Sequence, residues 1–188
     1  MRKLILSMQV TLDGFIEGAD GDMSWMVDDK EQWDDLFEML ADVDLFLLGR
    51  GMFKDYRDYW KGALAGQKAS ESEVKYAKLA EKTQHIVFSK TLHDPQWDNT
   101  RIVDTDIVAE VNKLKQAPGK SMLTFGGAKL AATLVDAGLI DEYQLVVNPV
   151  ILTKGKSFFQ QLTNRRKLEL INVKQLDSGV AILRYKQV

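Results

Sequence analysis

Residues 121–149 constrain this chain more than any other stretch. Four mostly apolar residues, 122–125, stop at the adjacent glycines Gly126 and Gly127. A helical pattern follows, with Leu130, Ala131, Leu134 and Ala137 on one face and Lys129, Thr133 and Asp136 opposite, and Gly138 stands where a helix C-terminal glycine belongs. A second apolar run, 143–147, closes at Pro149. Strand, glycine pair, helix, strand is a βαβ unit, which crosses over into a parallel sheet and so sets the fold class as α/β. The glycine pair falls at the carboxyl end of a strand and the start of a helix. The dipole and free N–H groups of a helix start favour an anion there, and a residue without a side chain admits close approach to the backbone. The simpler reading is a Gly-rich turn with no ligand.

With 188 residues and 45% hydrophobic content, the expectation is one sizeable core and a single domain over residues 1–188. The formal charge of −2 lacks the basic face that a general nucleic-acid grip requires. There is no cysteine, which excludes disulfides, thiolate nucleophiles and cysteine-based metal centres. Arg2 and Lys3 ahead of an apolar run faintly resemble a signal peptide. Ser7, Gln9, Thr11 and Asp13 break that run, and no later run is long enough to span a bilayer, so a soluble, cytoplasmic protein is expected.

Taken in order, 3–11 is a first strand ending in the turn signal Leu12-Asp13-Gly14, and 17–28 is a loop carrying Trp25. A helix is expected over 29–40 with Asp29 as its cap. The apolar tetrad 45–48 has the character of a strand buried on both faces. Helices are expected over 52–60, over 70–82 behind a Ser70/Glu73 capping box, and over 106–115. Strands are expected over 85–88 and 101–103. Beyond Pro149 the helices stop: 150–152, 168–176 and 180–186 are strand patterns, the last two joined at Asp177-Ser178-Gly179 as an antiparallel hairpin.

Three apolar tetrads end in Gly49-Arg50, Ser89-Lys90 and Gly126-Gly127. Ligands of open α/β sheets bind beyond the carboxyl ends of strands. If the three are parallel neighbours, one sheet edge carries a guanidinium, a hydroxyl, an ammonium and bare amides, a set suited to a phosphorylated cofactor. Each end alone is an ordinary turn with a solvated charge. Familiar fingerprints are absent. Gly49-x-Gly51 meets Lys54 where a dinucleotide motif needs its third glycine, and Gly119-Lys120-Ser121 and Gly155-Lys156-Ser157 lack the upstream glycine of a P-loop.

With these landmarks placed, the chain resembles the dihydrofolate-reductase-like superfamily, and within it the riboflavin-biosynthesis reductase (RibD C-terminal) domain. The residues that carry the likeness are Thr11-Leu12-Asp13-Gly14-Phe15-Ile16, Leu48-Gly49-Arg50, Ser89-Lys90-Thr91-Leu92, Phe125-Gly126-Gly127, Gly138 to Glu142, and Asn148-Pro149-Val150. The resemblance implies a three-layer α/β/α fold around a mixed, mostly parallel sheet of about eight strands, within the usual range for open sheets. It further implies NADPH as hydride donor, a small-molecule substrate (pterin-like, or a riboflavin-pathway aminopyrimidine), and a homodimer. Carried over by position, Gly49 and Arg50 stand beside the cofactor phosphates, Ser89, Lys90 and Thr91 near the adenosine 2′-phosphate, and Gly126, Gly127 and Ala128 at the pyrophosphate. Met52 departs from the threonine common in dihydrofolate reductases and forfeits a hydroxyl. The zinc deaminase activity that accompanies some such reductases needs cysteines and is excluded.

Reduction of a C=N or C=O bond also needs an acid within reach. Asp13 is one candidate, against the reading that Asp-Gly is ordinary turn chemistry. Asp29 is another, within the group Asp28, Asp29, Asp34 and Asp35 at the first helix, of which Asp34 and Asp35 are expected on its solvated side. Trp25 is a candidate cover for the nicotinamide side of the cleft. His85 and His93 lack partners at ligand spacing, and no metal is expected. An NADPH-dependent reductase is thus the leading expectation. A non-catalytic nucleotide- or ligand-binding module of the same fold is the alternative, and a dimeric interaction domain the third.

Overall fold

The computed structural model describes residues 1–188. In chain order its strands are β1 (Leu4–Thr11), β2 (Phe15–Glu17), β3 (Val43–Gly49), β4 (Gln84–Phe88), β5 (Thr100–Val103), β6 (Ser121–Thr124), β7 (Glu142–Asn148), β8 (Lys156–Ser157), β9 (Leu168–Gln175) and β10 (Ala181–Gln187). Its helices are α1 (Lys30–Leu40), α2 (Arg50–Leu64), α3 (Glu71–Ala80), α4 (Ile107–Gln116) and α5 (Ala128–Asp136). Eight strands form one sheet in the order β5-β4-β3-β6-β1-β7-β10-β9. The strands from β5 to β7 are parallel, and β10 runs antiparallel to both β7 and β9. None of the helices is long and apolar enough to cross a membrane.

The period-2 alternation of buried strands sorts side chains into two layers. Leu4, Leu6, Met8, Leu45, Leu47 and Met122 point to one face and pack with Val111 of α4 and Leu130 and Leu134 of α5. Ile5, Phe46, Leu48, Val87 and Leu123 point to the other and pack with Leu40 of α1, Phe53 of α2 and Tyr76 of α3. The tetrad 45–48 is buried throughout, as its composition requires. Each such fully buried Leu or Phe contributes about 2 kcal/mol of transfer free energy.

The βαβ unit of 121–149 is present as β6-α5-β7, but its strands are not neighbours. β1 lies between them and pairs in parallel with both. The glycine at the helix end closes a Schellman motif: Gly138 has φ +69°, Gly138 N–H donates to the Val135 carbonyl (2.9 Å) and Leu139 N–H to the Leu134 carbonyl (3.0 Å).

Four expectations need correction. No strand forms over 150–152; that segment is held instead by Leu12 N–H donating to the Val150 carbonyl (2.9 Å) and by two amides bound to Asp13. Ala137 is exposed, because the helix ends before its inner face recurs there. The loop expected over 17–28 yields its first residue, Glu17, to β2, which pairs with β8 in a small second sheet that neither segment's composition announces. Asp35, expected on the solvated side of α1, is buried at 4% exposure, whereas Asp34 is exposed and pairs with Lys30. Gln32, Asp35 and Met39 flank the apolar stripe of α1, and the charge of Asp35 masked that placement.

Candidate active site

The helix starts divide into two kinds. Asp29 Oδ1 accepts from the Glu31 (2.7 Å) and Gln32 (3.2 Å) amides and caps α1. Ser70 and Glu73 close a reciprocal capping box on α3, and Asp106 Oδ1 accepts from the Ala109 amide (2.7 Å) on α4. The other two helices, α2 and α5, start at Gly49 and Gly127, and neither has a side-chain cap. A helix start leaves N–H groups without intrahelical acceptors, so these two ends offer donors and a positive dipole to something else.

These two uncapped starts meet. β4, β3 and β6 are adjacent and parallel, so Ser89-Lys90, Gly49-Arg50 and Gly126-Gly127 follow one another along the carboxyl edge of the sheet. A Cβ placed on Gly127 would stand 3.5 Å from the Cα and N of Gly49 and 3.8 Å from Sδ of Met52. Gly127 has φ +74° and Gly126 φ +125°, backbone that favours glycine, and a Cβ on Gly126 would meet Met8 Cε at 3.1 Å. The amides of Gly126 and Gly127 donate to no protein acceptor. Ala128, the next residue, is buried at the first turn of α5.

The charged groups on this edge are uncommitted. Arg50 and Lys90 are exposed, and neither makes a hydrogen bond or ion pair within the chain. Ser89 is buried; its hydroxyl accepts from the amides of Thr91 (3.1 Å) and Leu92 (2.9 Å), which leaves its own O–H to donate. Ser89, Lys90, Leu92, His93, Ile102 and Asp104 line a cavity of about 220 Å³ at this end of β4 and β5. Asp104 was not among the residues marked by the sequence. Its only signal is its place directly after β5.

Of the three remaining candidates, Asp13 belongs to the next strand of the same edge, whereas Asp29 and Trp25 come from α1 and the segment before it. Asp13 follows β1, whose carboxyl end lies on the same sheet edge, and is exposed. Its carboxylate accepts from Thr11 Oγ1 (2.7 Å) and from the amides of Leu152 (3.2 Å) and Thr153 (2.8 Å). The Thr11 hydroxyl first, then these amides, holds Asp13 below the usual carboxylate range, so at neutral pH it is an acceptor. Asp29 is committed to the α1 cap. Trp25 is half-buried in the segment before α1, with its indole N–H donating to the Asp22 carbonyl (3.0 Å).

A second polar constellation, on the face covered by α1, joins residues that no local motif connects. Asp35 Oδ2 accepts from Arg184 Nη2 (2.6 Å) and Gln144 Nε2 (2.8 Å), and Lys174 Nζ lies 3.8 Å from Oδ1. Ser7 Oγ donates to Gln144 Oε1 (3.0 Å). Further along the same two strands, Asn148 donates to Gln9 Oε1 (2.7 Å) and accepts from the Val27 amide (2.9 Å). His85 is buried against Trp97 (ring centroids 4.7 Å apart) and Phe46 (5.2 Å), and burial pushes its pKa down to about 4. It is a neutral core residue away from the open edge.

The family profile of the RibD C-terminal domain matches residues 2–182. The uncharacterized Bacillus subtilis (strain 168) protein YyaP is 36% identical over 185 residues, spanning 98% of this chain and 94% of its own length. The diaminohydroxyphosphoribosylaminopyrimidine deaminase/5-amino-6-(5-phosphoribosylamino)uracil reductase of Thermotoga maritima superposes with a TM-score of 0.72 at 20% identity, over all of this chain and 57% of its own. The dihydrofolate reductase of Enterococcus faecalis, solved with NADP(H), superposes with a TM-score of 0.65 at 14% identity, covering 98% of this chain and 96% of its own. The two superpositions establish a shared dihydrofolate-reductase-like fold.

Proposed function

This chain belongs to the RibD C-terminal domain family, and from that premise we propose that it is an NADPH-dependent reductase of a small heterocycle. The carrying observation is the meeting of two uncapped helix starts, Gly49/α2 and Gly127/α5, beside the unpaired cations Arg50 and Lys90. Three helices elsewhere in the same chain have side-chain caps, so the missing caps are confined to the edge where an anion would bind. Gly126 and Gly127 would receive the pyrophosphate on bare amides, with Ala128 leading into α5 and Met52 packed beside Gly127. Arg50 would grip phosphate oxygens bidentately, and Ser89, Lys90 and Thr91 would hold the adenosine end.

The cofactor, when bound, supplies a hydride to a C=N or C=O bond. The protein's part is to fix its position and to close the substrate side. The proton that accompanies the hydride would come from solvent, since Asp13 and Asp29 are engaged as acceptors that pin segment 150–153 and α1, and Trp25 would cover the nicotinamide side of the cleft. The substrate class in this reading is pterin- or dihydrofolate-like, or the phosphoribosylaminouracil type named for the Thermotoga maritima enzyme.

Titration with NADPH followed by thermal unfolding tests the reading. At about 100 times the dissociation constant a ligand adds about 2.7 kcal/mol of stability. Gly127→Ala, which puts a methyl against Gly49 and a non-glycine residue at φ +74°, should weaken NADPH by at least about tenfold. Failure of NADPH to stabilise the wild-type chain would overturn the proposal. Binding without oxidation by any pterin or aminopyrimidine would favour the module without turnover.

Self-association belongs to the same reading. β9 is the outer strand of the sheet and exposes Leu170, Ile171 and Val173 at 50–53%. An uncovered apolar edge strand invites pairing, and a second copy of this chain would cover it. Sedimentation equilibrium of the wild type and of Ile171→Lys checks this: a dimer that dissociates in the variant is the expected result.

A further inference from the structure

The cavity at the ends of β4 and β5 holds one unpaired charge of each sign. β4 and β5 pair in parallel with Phe88 opposite Val103, and the Ser89 amide donates to the Val103 carbonyl (2.9 Å), so Asp104 leaves its strand beside Ser89-Lys90. Lys90 and Asp104 line the same cavity of about 220 Å³, both exposed and not paired with each other or with any other group. Polar residues at strand ends usually hold a turn or cap a helix, and its neighbours do so. Asp94 Oδ1 accepts from the Gln96 amide (2.9 Å), and Asp106 caps α4. Asp104 does neither, which leaves its carboxylate for a ligand.

A carboxylate at the adenosine ribose accepts hydrogen bonds from the 2′-hydroxyl, whereas a 2′-phosphate, carrying up to about two negative charges, is repelled by it. Lys90 and the Ser89 hydroxyl act in the opposite sense. Resting on the dinucleotide site proposed above, we infer that Asp104 is a specificity-determining residue that offsets Lys90, so the enzyme accepts NADH alongside NADPH.

The experiment measures dissociation constants for NADPH and NADH, and for adenosine 2′,5′-bisphosphate and adenosine 5′-monophosphate as probes of the ribose alone. The variants are Asp104→Asn, Asp104→Lys and Lys90→Ala. The wild type should bind NADPH and NADH within about tenfold of each other. Asp104→Asn should tighten NADPH and the bisphosphate about fivefold, the scale of one partly exposed charge contact, while leaving NADH within about twofold. Asp104→Lys should move the ratio further in that direction, and Lys90→Ala should move it the other way. A wild-type preference for NADPH above about tenfold, or equal shifts for both cofactors in the Asp104 variants, overturns the inference while leaving the dinucleotide site standing. Absence of binding by every nucleotide overturns both.

Discussion

The carboxyl edge of β4-β3-β6 and the seam beneath α1 are both polar, yet they differ in how their groups are satisfied. At the edge, Arg50, Lys90, Asp104 and the Gly126 and Gly127 amides have no partner within the chain. In the seam, Asp35, Arg184, Gln144 and Ser7 satisfy one another, and Asp35, Gln144 and Ser7 are buried. Buried polar side chains must be paired to be tolerated, while the exposed Arg50, Lys90 and Asp104 can wait for a ligand at little cost. Substitutions in the seam should therefore be read in stability, and substitutions at the edge in affinity.

The largest effect is expected from Asp35→Ala. It strands Arg184 and Gln144 in a partly buried setting and should cost about 3 kcal/mol, read as a lower denaturant midpoint at unchanged slope. A loss below about 1 kcal/mol would show that the seam is not a structural network.

A second buried group sharpens the contrast through pH. The native pKa of His85 is about 4 and its ordinary value 6.5, so below pH 6.5 the unfolded chain takes up a proton that the native chain refuses. Stability should fall between pH 6.5 and pH 4 by about 3 kcal/mol from this residue, with nothing lost above pH 6.5. His85→Leu should remove that component, seen as the difference between the two proteins' pH profiles. Parallel profiles would place the proton elsewhere.

Arg50→Ala tests the open edge. NADPH affinity should drop about tenfold while unfolding free energy stays within about 0.5 kcal/mol. A stability loss above about 1 kcal/mol would mean that Arg50 is structural. The smallest effect is expected at a capped helix start. Ser70→Ala should cost about 1 kcal/mol and leave NADPH affinity unchanged, because that cap faces no ligand.

The open edge was legible in the sequence because its signals are local. Each tetrad and the residues that end it lie within a few positions, and although each end alone is an ordinary turn, the recurrence of Gly49-Arg50, Ser89-Lys90 and Gly126-Gly127 after three such tetrads marks the edge. Asp104 did not stand out, because a carboxylate after a short strand differs from a solvated one only through what lies across the cavity. Asp35 was misplaced for a related reason. Its partner Arg184 is 149 residues away, and periodicity assigns a charged residue on the flank of a stripe to solvent. The strand expected over 150–152 failed because Asp13 took the amides that a neighbouring strand would have used.

By itself, the sequence determined what depends on near neighbours: the apolar tetrads, the capped starts of α1 and α3, and the glycine that ends α5. Those choices follow from torsional preference and from hydrogen bonds a few residues long. Tertiary structure alone decided that β1 enters between β6 and β7, that three distant strand ends form one row, and that Asp35 is buried. Such outcomes turn on which strands pair and on whether a distant element supplies the partner that makes a buried charge tolerable.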